Sequence, residues 1–159
     1  MPIYGLPRVV EQLRIRFAYI FATENRYEGA PSVRVTEVDA STPFTLFGQE
    51  VIPIAVEHGS LPILGYRIGN LGYITDAKHI QEAELSKLYK VDTLVLNALR
   101  KAPHPTHLNI AEAMEIVKEV HPRQAFFTHI SQTMGFHAKV QKELPKNVYL
   151  AYDKLTIKI

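Results

Sequence analysis

Cysteine is absent from the 159-residue chain. That excludes a disulfide scaffold and any thiolate metal site, so a metal could be held only by imidazole and carboxylate. No apolar run approaches the ~18–20 residues of a membrane span. The first residues lack a signal-peptide pattern, and the expected setting is cytoplasmic with no membrane partner. Neither charge sign dominates: the formal net charge is +2, and Lys and Arg form no block. This argues against nucleic acid as a partner. There is no internal repeat, low-complexity segment or linker. What remains is an ordinary globular composition, 47% apolar and 21% charged, in a length that suits one domain.

The spacing of Val9, Val10, Leu13 and Phe17 predicts a helix over 6–17, opened by a proline in its first turn. "APSVRVTEVD" reads as a strand. "TPFTLFGQEVIPIAVEHGS" reads as two strands, with a turn at Gly48-Gln49-Glu50 and an end at His58. "ILGYRIGNLGYITDA" is a hairpin turning at Gly69-Asn70. "IQEAELSKLYK", "NIAEAMEIVKEVH" and "GFHAKVQKEL" have helical periodicity, and Pro122 stops the second. "VDTLVLNAL" and "QAFFTHI" are continuous apolar runs, which suit strands buried on both faces. "VYLAYDKLTIKI" reads as a last pair of short strands. Hairpins followed by alternating helices and strands predict an α/β layered fold with a mixed sheet.

Three polar residues stand at the ends of these strands: His58, Asp76 and His129. A lone histidine there is more often hydrogen-bonded than metal-binding, and a lone Asp76 would more often cap the next helix. Together the three fit a different pattern. Open α/β sheets gather ligand sites beyond their strand ends, and two imidazoles with one carboxylate suit a zinc or manganese shell.

The segments "VIPIAVEHG", "GYITDA", "HPTHLNIAEA", "FFTHIS" and "VYLAYDKLTI", in this order, resemble the second half of a metallo-β-lactamase-fold hydrolase. The branch is that of phosphodiesterases acting on cyclic ribosyl phosphates. The resemblance runs from about residue 44 to the C-terminus. It implies an αββα sandwich, incomplete at its N-terminus, and a two-ion zinc or manganese site. In that family His58 and His129 would be ligands and Asp76 the bridging carboxylate. His107 would contact the substrate phosphate without binding metal and would protonate the leaving group. Ser131 and His137 would contact the substrate, a small phosphate ester. Gln132 stands where the family often has a histidine, and Asp153 matches an aspartate near the final strand.

One departure is large. The family's His-x-His-x-Asp-His signature, which supplies four ligands, is absent: the seven histidines are His58, His79, His104, His107, His121, His129 and His137. The expectation is therefore a single partial domain over 1–159, mainly the C-terminal half of the fold. Alone it should bind metal weakly, turn over little, and self-associate through the sheet surface that the other half would cover. A tRNA-processing endonuclease of the same superfamily and a non-catalytic module with a vestigial site are the alternatives. The small net charge and the lack of a basic insertion argue against the first. His104, His79 and His121 read as a solvated loop residue, a helix-opening residue and a helix-end residue.

Overall fold

The computed structural model describes residues 1–24, 26 and 28–158. It contains two compact units, Met1–Thr42 and Pro43–Ile159.

In the first unit, β1 (Pro2–Gly5) lies parallel to β2 (Arg34–Glu37), with Ile3 opposite Val35. Between them come α1 (Pro7–Arg16) and the single turn α2 (Ala18–Phe21). Pro7 occupies the first turn of α1, where its missing N–H costs nothing. The apolar stripe predicted for this helix is only partly buried: Val10 is 1% exposed, whereas Val9 and Phe17 are 38% and 43% exposed. β1 is too short for alternation to reveal it in the sequence.

The second unit is a seven-stranded mixed sheet whose spatial order is the order of the chain. It comprises β3 (Phe44–Leu46), β4 (Gln49–His58), β5 (Leu61–Ile68), β6 (Leu71–Ile74), β7 (Thr93–Asn97), β8 (Gln124–Thr128) and β9 (Val148–Leu150). The first four strands pair antiparallel and the rest parallel. Tight turns join the antiparallel strands. The turn placed at Gly48–Glu50 falls instead on Phe47 and Gly48, both at positive φ (50° and 79°), and Gln49 already belongs to β4. Two successive left-handed residues are the geometry that matches strand twist in a two-residue hairpin. Gly69 turns the next hairpin as its sequence predicts.

Parallel pairing requires crossovers. α3 (Glu82–Ser86) leads from β6 to β7, and α4 (Ile110–Val120) from β7 to β8. The capping box of α4 is complete: Asn109 accepts from the Glu112 amide, and Glu112 accepts from the Asn109 amide. His121 ends α4 at φ 55°, just before Pro122. α3 is shorter than its periodicity suggests. α5 (His137–Val140) gives way to a 3₁₀ turn, Gln141–Glu143. The expected terminal pair of strands reduces to β9, because the chain turns at Asp153 and at Lys154 (φ 69°).

Ile54, Ile74, Leu88, Leu94, Leu96 and Phe127 form the centre of the core, all under 2% exposed, with Ala113, Val117 and Val120 of α4 packed on them. On the other face of the sheet, Tyr66, Tyr73, Val95, Phe126 and Tyr149 stand side by side in register. β4 also has its outer edge closed. Pro53 has no N–H, the Ala55 amide donates to Glu84 Oε2 (2.6 Å), and the Glu57 amide donates to the His79 carbonyl (2.9 Å).

Gly65 is held by sterics rather than by its dihedrals. A Cβ there would sit 2.6 Å from Ile74 Cγ1 and 3.3 Å from the Tyr73 carbonyl oxygen. Gly65→Ala is expected to destabilise the chain by about 1–3 kcal/mol, the usual overpacking cost. Urea denaturation reads this directly, and an unchanged midpoint would show that the β5–β6 contact has slack.

Candidate metal centre

Strand direction assembles the site. β5 runs antiparallel between β4 and β6, so β4 and β6 point the same way, and β7 and β8 follow β6 in parallel. The C-terminal ends of β4, β6, β7 and β8 therefore share one edge of the sheet. His58 is the last residue of β4, Asp76 follows β6, Asn97 ends β7, and His129 follows β8. Residues 98–109, between β7 and α4, bring His104 and His107 over the same edge.

Asp76 and His129 both adopt left-handed backbone conformations, at φ 60° and 57°. Asp and His tolerate this region better than most residues, but it persists only where neighbours enforce it. Next to Asp76 the enforcement is visible. The Ala77 amide donates to Asn97 Oδ1 (2.7 Å), while the Ala77 carbonyl accepts from Asn97 Nδ2 (2.9 Å) and from the Leu108 amide (2.8 Å). Asn97 is fully buried. One amide side chain thus ties the turn at Asp76 to the end of β7, and the Leu108 amide ties it to the neighbour of His107. Sequence reasoning took Asn97 as part of an apolar run. The signal it carried was a primary amide closing the apolar run Leu94–Leu96.

The cluster is tight. His107 Nε2 and His129 Nε2 each lie 3.4 Å from Asp76 Oδ1. The His107 ring stacks on His129 (4.8 Å, 13°) and meets His58 edge-on (4.6 Å). His58, Asp76 and His107 offer ligand atoms that all lie within 4.8 Å of one another. His58 Nε2 and His107 Nε2 are buried and have no hydrogen-bond partner. Buried nitrogens are rarely left so. A divalent cation would satisfy both, and an imidazole–carboxylate donor set suits zinc or a harder first-row ion. The residues present therefore fit the metal that the resemblance implies. The resemblance makes His129 a ligand and His107 a non-ligand; the structure sets both equally near Asp76.

Burial alone would raise the Asp76 pKa, but a hydrogen bond from Thr75 and the neighbouring His129 and His107 more than offset it, and the net shift is downward. Burial pushes the His107 pKa down, against a smaller upward pull from Asp76.

Beside His129 opens a cavity of about 420 Å³, lined in part by Met134, Gly135, His137, Tyr152 and Asp153. His137 Nε2 donates to the Leu150 carbonyl (3.1 Å), and its ring meets Tyr152 edge-on. Ser131 caps the 3₁₀ turn Gln132–Met134, accepting from the Thr133 amide and bonding the Thr133 hydroxyl at 2.7 Å. His79 and His121 lie outside the cluster: the first bonds Glu57 through its backbone, and the second closes α4.

Two expectations follow. Asn97→Ala leaves the buried Ala77 amide without its acceptor and should cost about 1–3 kcal/mol in urea unfolding. A loss near zero would mean that the Asp76 turn holds itself. The second concerns pH. An unfolded histidine titrates near 6.5. The folded His107 pKa lies lower, so its contribution to stability is full above that value and is lost as pH falls through the folded one. Unfolding midpoints of the metal-free chain should drop as pH falls below about 6.5, and His107→Ala should flatten the drop. Equal slopes in the two proteins would count against it.

A family model described as beta-lactamase superfamily domain matches residues 1–130. A crystal structure described as a new diphosphatase from the PhnP family shares 34% sequence identity with a TM-score of 0.87, over 98% of this chain and 56% of that one. Zn(2+)-bound PqqB from Methylobacterium extorquens is 14% identical with a TM-score of 0.72, over 100% and 65%, and shows likeness of fold. A Porphyromonas gingivalis (strain ATCC BAA-308 / W83) protein named octanoyltransferase is 31% identical over 156 residues, 98% of this chain and 32% of that protein. The chain thus spans about a third of that relative and just over half of the diphosphatase.

Proposed function

The chain belongs to the beta-lactamase superfamily, and on that premise we propose that it serves metal-dependent hydrolysis of phosphate esters, of the phosphodiesterase type. One observation carries the reading: four groups from four segments meet at one sheet edge, two of them imidazoles with buried, unpartnered nitrogens. The likeness to a diphosphatase at 34% identity supports the phosphate ester as the substrate class. The protein named octanoyltransferase is matched over only 32% of its length, so its name adds no reading for these residues.

His58, Asp76 and His129 would hold zinc or manganese. A bound ion supplies Lewis acidity and makes water acidic enough to attack phosphorus near neutral pH. The residues do the rest. Asp76 stays ionised because its pKa is lowered, and so presents a full negative charge at the centre of the cluster. His107, with only 12% of its side chain exposed, exchanges a proton with an oxygen of the reacting ester. The cavity beside His129 accommodates the remainder of a small, nucleotide-like or ribosyl phosphate, with His137 and Tyr152 on its wall. Ser131 caps the turn that leads to Met134 and Gly135 on the cavity wall. The row from Tyr66 to Tyr149 offers a face for self-association.

The four ligands of the His-x-His-x-Asp-His signature are not among these residues, so the chain by itself should hydrolyse bis(p-nitrophenyl) phosphate barely. Joining it to the preceding half of the diphosphatase relative should give zinc- or manganese-dependent turnover. Asp76→Ala in that chimera should lower turnover by at least about 100-fold, beyond what changes outside the ligand shell cost. A folded chimera that takes up metal but cleaves no phosphodiester would overturn the reading.

A further inference from the structure

Asp153 lines the cavity beside His129, and its carboxylate makes no hydrogen bond or ion pair among the described residues. A turn aspartate ordinarily bonds the amides that follow it. Asp39 does so: its carboxylate accepts from the Ser41 and Thr42 amides at 2.7 Å and from both hydroxyls. Asp153 sits second in a turn whose Leu155 amide donates to the Tyr152 carbonyl (3.1 Å), yet its oxygens stay free. Third in that turn is Lys154 at φ 69°, a conformation that glycine adopts with least strain. A turn kept against the preference of its own residue is imposed by its surroundings. It sets a free carboxylate at the cavity wall.

The rest of the wall limits what that carboxylate can meet. No lysine or arginine is among the described residues lining the cavity. His137 Nε2 already donates to the Leu150 carbonyl (3.1 Å). Ile130 and Met134 add apolar surface, and Tyr152, 62% exposed and edge-on to His137, adds a ring face. A group seated here has to donate hydrogen bonds to a carboxylate while laying carbon against the wall. A sugar does both, and bonds from its hydroxyls to a carboxylate are charge-assisted.

We propose that Asp153 is a specificity-determining residue that accepts hydrogen bonds from free hydroxyls of the substrate's ribose, so that ribosyl and ribonucleoside phosphates are selected over deoxy and simple aryl esters. The place of the reacting phosphate, at the cluster, rests on the metal-hydrolase reading; the affinity of Asp153 for the sugar does not. Asp153 meets the sugar and not the reacting phosphorus. Its bonds form in the ground state and persist in the transition state, so their loss falls on KM more than on kcat.

The test has two arms. In the first, the metal-free 159-residue chain, ¹⁵N-labelled, is titrated with adenosine 5′-monophosphate and with its 2′,3′-dideoxy analogue, which share phosphate and base. Shifts of the Tyr152 and Asp153 amides give the two dissociation constants. The hydroxyl-bearing nucleotide should bind at least about 10-fold more tightly, as a hydrogen bond to a charged group implies. Asp153→Ala, which breaks no side-chain bond of the fold, should bring the two constants together. Asp153→Asn, which keeps one acceptor oxygen, should retain part of the difference. In the second arm the zinc-loaded chimera is given the p-nitrophenyl esters of the same two nucleotides. The preference should reappear, chiefly in KM, and vanish with Asp153→Ala; a residue that merely stiffened the turn would slow both esters alike and leave the ratio unmoved. Equal constants for the unsubstituted chain, no shift at Tyr152 and Asp153, or a preference that survives Asp153→Ala overturns the proposal. A chimera that cleaves neither ester, while the chain still separates the two nucleotides, sinks the hydrolase reading alone.

Discussion

The structure turns on one amide side chain. Asn97 gives its oxygen and its nitrogen to the two backbone groups of Ala77, at the rim of a largely apolar core. Such a pair of bonds is worth making only because neither group can reach water. It fixes the turn at which Asp76 leaves the sheet, and so fixes the direction of the only carboxylate in the cluster. The same carbonyl takes the Leu108 amide, which sets the height of the loop carrying His107. Two of the four cluster residues are thus positioned by polar groups that make no contact with any ligand.

Sheet topology supplies the other two. His58 and His129 come from strands separated by three others, yet both lie at the same edge because their strands run the same way. Left-handed backbones at Asp76 and His129 then lift the side chains off the pleat. Direction and dihedral do here what a single contiguous motif does in a short metal-binding loop. Hence the cluster residues are spread over about seventy residues of chain and still converge to a few ångströms.

Much of this was legible in the sequence. Apolar runs such as "TLVLN" and "QAFFT" announce strands buried on both faces, and a polar residue that ends such a run stands at the rim by necessity. The hairpin at Gly69 and the helix stopped at Pro122 are local chemistry, and local chemistry survives folding. Less legible was whatever depends on partners distant in the chain. The turn at Phe47 was displaced because an aromatic residue in a left-handed position gives no compositional hint. The last strand ended early because alternation in "LTIKI" found no neighbour to pair with among the described residues. His104 looked solvated between two prolines, since nothing in its surroundings betrays that the next turn folds its ring against His107.

The order of the strands in the sheet has a consequence for how the molecule comes into being. Each strand lies beside the one made just before it, so every new segment leaving the ribosome finds its neighbour already in place. Such a sheet grows by addition at one side, although its three parallel pairings wait for crossovers of 18 to 26 residues. The cluster residues emerge in the same order, His58 first and His129 last. His129 cannot reach Asp76 until β8 has docked on β7, so the cluster stays open until that pairing forms. A metal ion captured by the finished cluster would then bind a chain whose core is already built, and would register completed folding rather than direct it.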